Sequence, residues 1–101
     1  MAPVIKEKPK VIKQTKERKV VIEVRIASGA APKVQWMKES TMIREDSRHV
    51  VRIQEVSKGE YAVALEIDKA EKIDKGTYKV IAKNEKGECT SQAVTVDVEG
   101  I

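Results

Sequence analysis

Between Arg18 and Ala27 every second residue is a β-branched aliphatic. Val20, Ile22, Val24 and Ile26 face one way, with Lys19, Val21, Glu23 and Arg25 opposite. That period of two, and the lack of any helical stripe lasting three turns, commits the segment to a half-buried strand. The same alternation returns in Tyr61, Val63, Leu65 and Ile67, and again in Tyr78, Val80 and Ala82. A face of this kind must be covered by a second layer. The chain has 101 residues, which is room for one core. Phe is absent, and Trp36, Tyr61 and Tyr78 are the only aromatics, so the core is expected to be largely aliphatic.

Turn signals divide the rest into short strands. Val4 to Glu7 reads as a first strand, interrupted at Pro9, which lacks an N–H and is tolerated only at an edge or a bulge. Lys10 to Thr15 reads as a second edge piece. Residues 28–32 are a turn, and Lys33 to Glu39 is a strand with Trp36 pointing inward. Residues 40–47 are polar and read as loop, with a short strand near Met42-Ile43. His49 to Glu55 is a strand turned back at Lys58-Gly59, and Thr77 to Asn84 is another. Glu85-Lys86-Gly87 closes a tight hairpin. The last strand spans about Glu88 to Val98, and its inward phase changes between Cys89 and Val94, which predicts a bulge. Seven or eight short strands in about one hundred residues predict an all-β sandwich of two sheets.

Three local motifs give this pattern a family. Residues 29–36 place a lone Trp after a G-x-x-P turn on the third long strand. Asp74-Lys75-Gly76-Thr77-Tyr78 is a D-x-G-x-Y segment, and residues 82–87 read A-x-N-x-x-G. With Leu65 and Ile67 upstream, these resemble I-set immunoglobulin domains, and the similarity covers about residues 3–98 of a single domain over 1–101. A fibronectin type III module fits less well, since its Trp lies on the second strand and its Tyr farther from the Ala.

The resemblance implies a fold and a set of structural residues. Tyr78 would be the tyrosine of the corner, with Gly76 allowing the turn and Asp74 capping it. In the family such an Asp pairs with an Arg; Arg48 and Arg52 are the candidates, and Arg48 is preferred. Asn84 and Gly87 would shape the hairpin. Where relatives carry a disulfide against the Trp, the spacing puts Val24 and Val80, so Val24, Trp36, Leu65, Tyr78 and Val80 form the expected core. The chain has one cysteine, Cys89, and no intrachain disulfide is possible. That fits a compartment where thiols stay reduced, as does an N-terminus without an apolar signal-like run.

Chemistry is sparse. His49 is the only histidine, so no multi-His metal site or spare catalytic base can be assembled. No Gly-rich phosphate loop or calcium-loop spacing occurs. A non-enzyme without cofactor is expected, and no segment long enough to span a membrane is present. Charge is concentrated at the start. Residues 1–19 hold seven basic side chains against Glu7 and Glu17, a balance of +5, while the remainder balances at −1. Lys6, Lys8, Lys10, Lys13 and Lys16 are therefore candidate contacts for an acidic partner. The competing explanation is that edge strands carry Lys to block sheet-to-sheet aggregation. Nucleic acid is not expected, because no aromatic is interleaved to stack bases.

Disulfide-free, Lys/Glu-rich I-set modules resemble those of titin, twitchin and the myosin-binding protein C group, and residues 79–88 are especially like twitchin-type repeats. The resemblance implies a cytoplasmic, monomeric bead in a modular sarcomeric protein, with immunoglobulin or fibronectin-type neighbours and myosin or actin filaments as candidate partners. It would act as a load-bearing spacer and binding surface. The expected mechanical clamp is Lys10 to Thr15 in parallel with Thr95 to Glu99. Rival readings are an actin-binding or kinase-associated cytoskeletal module of the palladin and myotilin kind, and an adhesion ectodomain.

Overall fold

The computed structural model describes residues 2–99. Ten strands follow one another: β1 (Val4–Ile5), β2 (Lys10–Gln14), β3 (Lys19–Ala27), β4 (Lys33–Lys38), β5 (Thr41–Met42), β6 (His49–Ser57), β7 (Glu60–Ile67), β8 (Gly76–Asn84), β9 (Gly87–Thr90) and β10 (Val94–Val96). They make two five-stranded sheets. The first runs β1-β3-β7-β6 with β2 also on β3, and the second runs β10-β8-β4-β5 with β9 also on β8. All the ladders are antiparallel.

The interior is what the alternation demands. Val20, Ile22, Val24 and Ile26 of β3 and Tyr61, Val63, Leu65 and Ile67 of β7 cover one side. Trp36 of β4, Tyr78, Val80 and Ala82 of β8, and Val94 and Val96 of β10 cover the other. Together with Ala70 they form one buried cluster. Each fully buried aliphatic contributes roughly 1.5–3 kcal/mol of transfer free energy, so such a core can hold a domain without a covalent link between the sheets.

The last segment carries the expected bulge. Ile81 faces Thr90, whereas Tyr78 faces Val94, so the three residues 91–93 oppose the two residues 79–80. Ser91 repairs the break: its N–H donates to the Val80 carbonyl at 2.8 Å, and its Oγ accepts the Val80 N–H at 3.0 Å. The extra residue lets Cys89 and Val94 both turn toward the core despite their opposite phase. Regular pairing stops at Val96, short of the Val98 expected.

The N-terminal edge departs from expectation. The first strand is only Val4–Ile5, and Thr15 belongs to a 3-10 turn, Thr15–Glu17, that leads into β3 through Arg18 at φ 55°. The anticipated clamp is also corrected. β2 pairs antiparallel with β3, Lys10 opposite Glu23 through Gln14 opposite Lys19, and forms no ladder with β10 among the described residues. The physical reason lies in the register. Ile5 faces Ile26 and Lys10 faces Glu23, so residues 6–9 bulge over the two positions 24–25. Pro9, buried at the end of that bulge, cannot donate to a ladder. The chain resumes on the strand it left. The Lys13–Asp97 ion pair ties β2 to the chain just beyond β10.

Candidate functional site

The densest polar constellation lies where β8 begins. A 3-10 turn, Lys72–Asp74, delivers Asp74 into the interior, where it is 4% exposed. Its Oδ2 accepts from Arg48 Nη1 at 2.8 Å and from the Glu71 N–H at 2.7 Å, and its Oδ1 accepts from Arg48 Nη2 at 3.3 Å. The fork geometry of the guanidinium makes the contact bidentate. Arg52 is engaged elsewhere, with Glu66 on the outer face of the first sheet. The Tyr78 hydroxyl donates to the Asp74 carbonyl at 2.6 Å, so one residue anchors both the turn and the corner. Beside it His49 lies 3.8 Å from Asp74 Oδ1 and 2.8 Å from Asp46.

The electrostatics follow. Burial pushes the Asp74 carboxyl up, but the Arg48 hydrogen bond, the Glu71 N–H and the Arg48 charge outweigh it, and the group sits below its ordinary value. Burial and the Asp74 charge push the Tyr78 phenol up to about 12. His49 and the Arg48 backbone hold Asp46 down to about 2. These shifts stabilise a fixed ionic link. None produces an activated base or nucleophile near neutral pH.

Gly76 sits in the same corner with φ 159°, and a Cβ there would stand 2.8 Å from Lys38 Cε. Trp36 is 1% exposed and lies opposite Val80 in the β4–β8 ladder. Val24, Leu65 and Tyr78 belong to the same buried cluster. Trp36 Nε1 is buried and has no hydrogen-bond partner among the described residues. At the hairpin, Asn84 Oδ1 accepts from the Lys86 N–H at 2.8 Å and Asn84 Nδ2 donates to Ser28 Oγ at 3.1 Å. Gly87, at φ 146°, faces Asn84 across the two-residue loop.

The five candidate lysines do not gather into one patch. Lys6 and Lys8 ride the bulge, Lys10 stands opposite Glu23, Lys13 is committed to Asp97, and Lys16 lies on the turn at the far end of β3. Glu7, Glu23 and Arg25 share the concavities beside Lys6, Lys8 and Lys10. Cys89 is half-buried, and burial pushes its thiol up, away from nucleophilic character. Among the described residues no group of three His, Cys, Asp or Glu could hold a metal ion.

Sequence reasoning missed Ser91, the Glu71 N–H link and Arg18, whose Nη2 donates to the Ala70 carbonyl at 2.9 Å. Ser91 had a signal, because it falls within the predicted phase change. Arg18 had none, since its partner is a backbone atom 52 residues away.

Compared with known proteins, residues 3–98 match the immunoglobulin I-set domain. The chain belongs to that family. The module is accordingly non-catalytic, an all-β I-set sandwich closed without a disulfide. A curated relative, the muscle M-line assembly protein unc-89 of Caenorhabditis elegans, is 34% identical over 82 residues. That covers 80% of this chain and 1% of the relative, so the domain spans a small fraction of that protein. Among solved structures, titin M4 superposes with a TM-score of 0.73 at 22% identity, over 94% of this chain and 93% of that one. The twitchin kinase region from C. elegans gives 0.72 at 23%, over 94% and 16%. The Dpr2 Ig1-Ig2 pair in its complex with DIP-Theta gives 0.74 at 24%, over 92% and 31%. At these identities the structural likenesses speak for the fold alone.

Proposed function

We propose that this I-set module is a load-bearing spacer and binding surface within a long modular protein of the cytoplasmic sarcomere, with immunoglobulin or fibronectin-type modules as neighbours. The observation that carries the reading is the sequence similarity to an M-line assembly protein of muscle. Aliphatic Val24 and Val80, at positions where secreted relatives use cystine, agree with a reducing compartment.

The strand directions give the mechanical part a physical basis. Val4 lies opposite Ala27 at one end of β3, and Val96 lies opposite Gly76 at the start of β8. Lys19 at the other end of β3 shares its end of the sandwich with Ala70, which donates its N–H to the Arg18 carbonyl at 2.7 Å. The first and last strands thus exit at opposite ends of a body 40 Å long, and tension runs along the strands. Under that load β2 is sheared lengthwise against β3, straining the ladder from Lys10 to Gln14 together. Stretching single molecules between their termini tests this. Unfolding at forces well above those of a helical domain is the expected result, and unfolding at forces no higher overturns the load-bearing role.

A second reading, filament binding through the basic N-terminal edge, is favoured by the exposure of Lys6, Lys8, Lys10 and Lys16. It predicts salt-sensitive co-sedimentation with F-actin that disappears when Lys10, Lys13 and Lys16 are neutralised. Co-sedimentation unaffected by those changes removes it.

A further inference from the structure

The outer face of the second sheet is unlike the rest of the surface. Three rows of side chains cross it, read directly from the ladder partners. Met42, Met37 and Lys79 form one row; Gln35, Ile81 and Thr90 the next; Lys33, Lys83 and Glu88 the third. Met42 is 60% exposed. Apolar Met37, Met42 and Ile81 thus lie between lysines on two sides. Methionine is adaptable and common at binding surfaces.

The charges there are unbalanced. Among the described residues none of Lys33, Lys79 and Lys83 enters an ion pair, whereas the first sheet neutralises Lys19 and Arg52 on Glu66 and sets Arg25 near Glu23 and Glu60. Lys33 and Lys83 stand directly opposite each other, an arrangement that destabilises a sheet. Acidic groups correct this only in part. Glu88 stands opposite Lys83 in the β8–β9 ladder and offsets one lysine, while Lys33 and Lys79 have no acidic ladder partner among the described residues and Glu39 is engaged with the Thr77 N–H. A groove lined by Ala30, Ala31, Lys33, Lys83, Asn84 and Glu85 adjoins this surface at its Lys33–Lys83 row.

From this complementarity we infer that the outer face of β4, β5 and β8 docks an acidic protein segment carrying an aliphatic stripe. The stripe covers Met37, Met42 and Ile81, and its carboxylates neutralise Lys33, Lys79 and Lys83. A second copy of this chain is a poor occupant, since its own lysines would meet these. The inference rests on the reading of the module as a binding surface, and it gives that surface a place and a partner chemistry. It is independent of the mechanical role and of the N-terminal lysines.

The test uses a short labelled helical peptide with a leucine stripe bordered by glutamates, titrated into the isotopically labelled domain. Amide shifts concentrated at Gln35, Met37, Met42, Lys79 and Ile81 are expected. Replacing Lys33, Lys79 and Lys83 with Glu should weaken binding at least tenfold, with the Gln triple variant intermediate and both retaining the parent's melting temperature within a few degrees. The same change at Lys6, Lys8 and Lys10 should leave affinity within twofold. The proposal is overturned by no binding, by shifts confined to the N-terminal edge, or by equal affinity for a leucine-free glutamate peptide. It is also overturned if phosphatidylserine vesicles or single-stranded DNA bind the same face as tightly as the peptide. Failure here with high unfolding force intact leaves the spacer reading standing; the reverse outcome separates the two.

Discussion

The Asp74 corner and the N-terminal edge are both fastened by a basic–acidic pair, yet the two pairs sit in different media. In the corner the Asp74 side chain is 6% exposed and Arg48 27%, and the carboxylate also holds a backbone N–H. At the edge Lys13 and Asp97 are 31% and 49% exposed, and the only further tie on the carboxylate among the described residues is the N–H of Glu99 two residues along the same exposed segment, at 3.3 Å. An ion pair in solvent is worth little because water and salt compete for both charges. A buried one is costly to break, because the survivor is left without solvent or partner. The corner therefore defines the fold, and the edge is a place where load or a partner can act.

The largest effect belongs to the interior that the corner closes. Trp36→Ala should cost about 3–5 kcal/mol, read from urea unfolding of the isolated domain. Trp36→Phe sharpens the point, since it keeps an aromatic and removes the unpaired Nε1–H. Its cost should be at most about half that of the alanine variant, because a buried donor without a partner carries a penalty of roughly 1–3 kcal/mol. An alanine variant that unfolds like the parent would break the contrast at its root.

Next comes the corner itself. Asp74→Ala strands a partly exposed Arg48, and a loss of about 2–3 kcal/mol is expected, below the full cost of a buried pair. The pH response identifies the charge as the cause. The folded-state value of Asp74 lies below its ordinary 3.8, so its contribution is fully present above about pH 4 and is lost as pH falls below that. Asp46, held at about 2, changes stability with the same sign. Melting curves between pH 7 and pH 2 should show Asp74→Asn less stable at neutrality and with a shallower acid decline than the parent. Parallel declines would mean that the carboxylate is not the titrating link.

Between corner and edge in magnitude stands the bulge of β9 and β10. Ser91→Ala removes the acceptor for the buried Val80 N–H, and a loss of about 1–2 kcal/mol should appear in equilibrium unfolding. In the bulge at residues 6–9 Pro9 has no donor to satisfy, so there a substitution of the exposed neighbour Lys8 should be nearly neutral.

These differences also mark what could be read in advance. The faces of β3, β7 and β8 were legible because a period of two, with β-branched residues on one phase, leaves a single way to bury them. The corner was legible because D-x-G-x-Y is local: Asp74 and Tyr78 meet over four residues. The choice of Arg48 over Arg52 was favoured in advance but depends on strand phase, since Arg52 opposes Ala64 and so points outward. The partner of β2 was not legible. Alternation tells which residues of Lys10 to Gln14 face inward, but it does not say which neighbouring strand receives their N–H groups. That was decided by the excess residues before Pro9, a backbone matter with no side-chain pattern. The Met and Lys rows of the second sheet escaped notice for a related reason, since Met42, Met37 and Lys79 come from three strands and become neighbours only through register.

The smallest effect is assigned to Lys13→Ala. Both partners are solvated and the pair has no further hydrogen bond to Lys13, so less than about 0.5 kcal/mol should be lost, and that remnant should vanish in molar salt. Asp97 sits below its ordinary value chiefly through its Lys13 hydrogen bond, a local response that leaves the β2–β3 ladder untouched. The same substitution distinguishes two ways of holding the edge. If the β2–β3 hydrogen bonds resist tension, Lys13→Ala leaves the single-molecule unfolding force unchanged while proline at Ile12 lowers it. A force that falls with Lys13→Ala would instead make the link to the second sheet the mechanical element, and the edge would then resemble the corner in kind, differing only in its exposure.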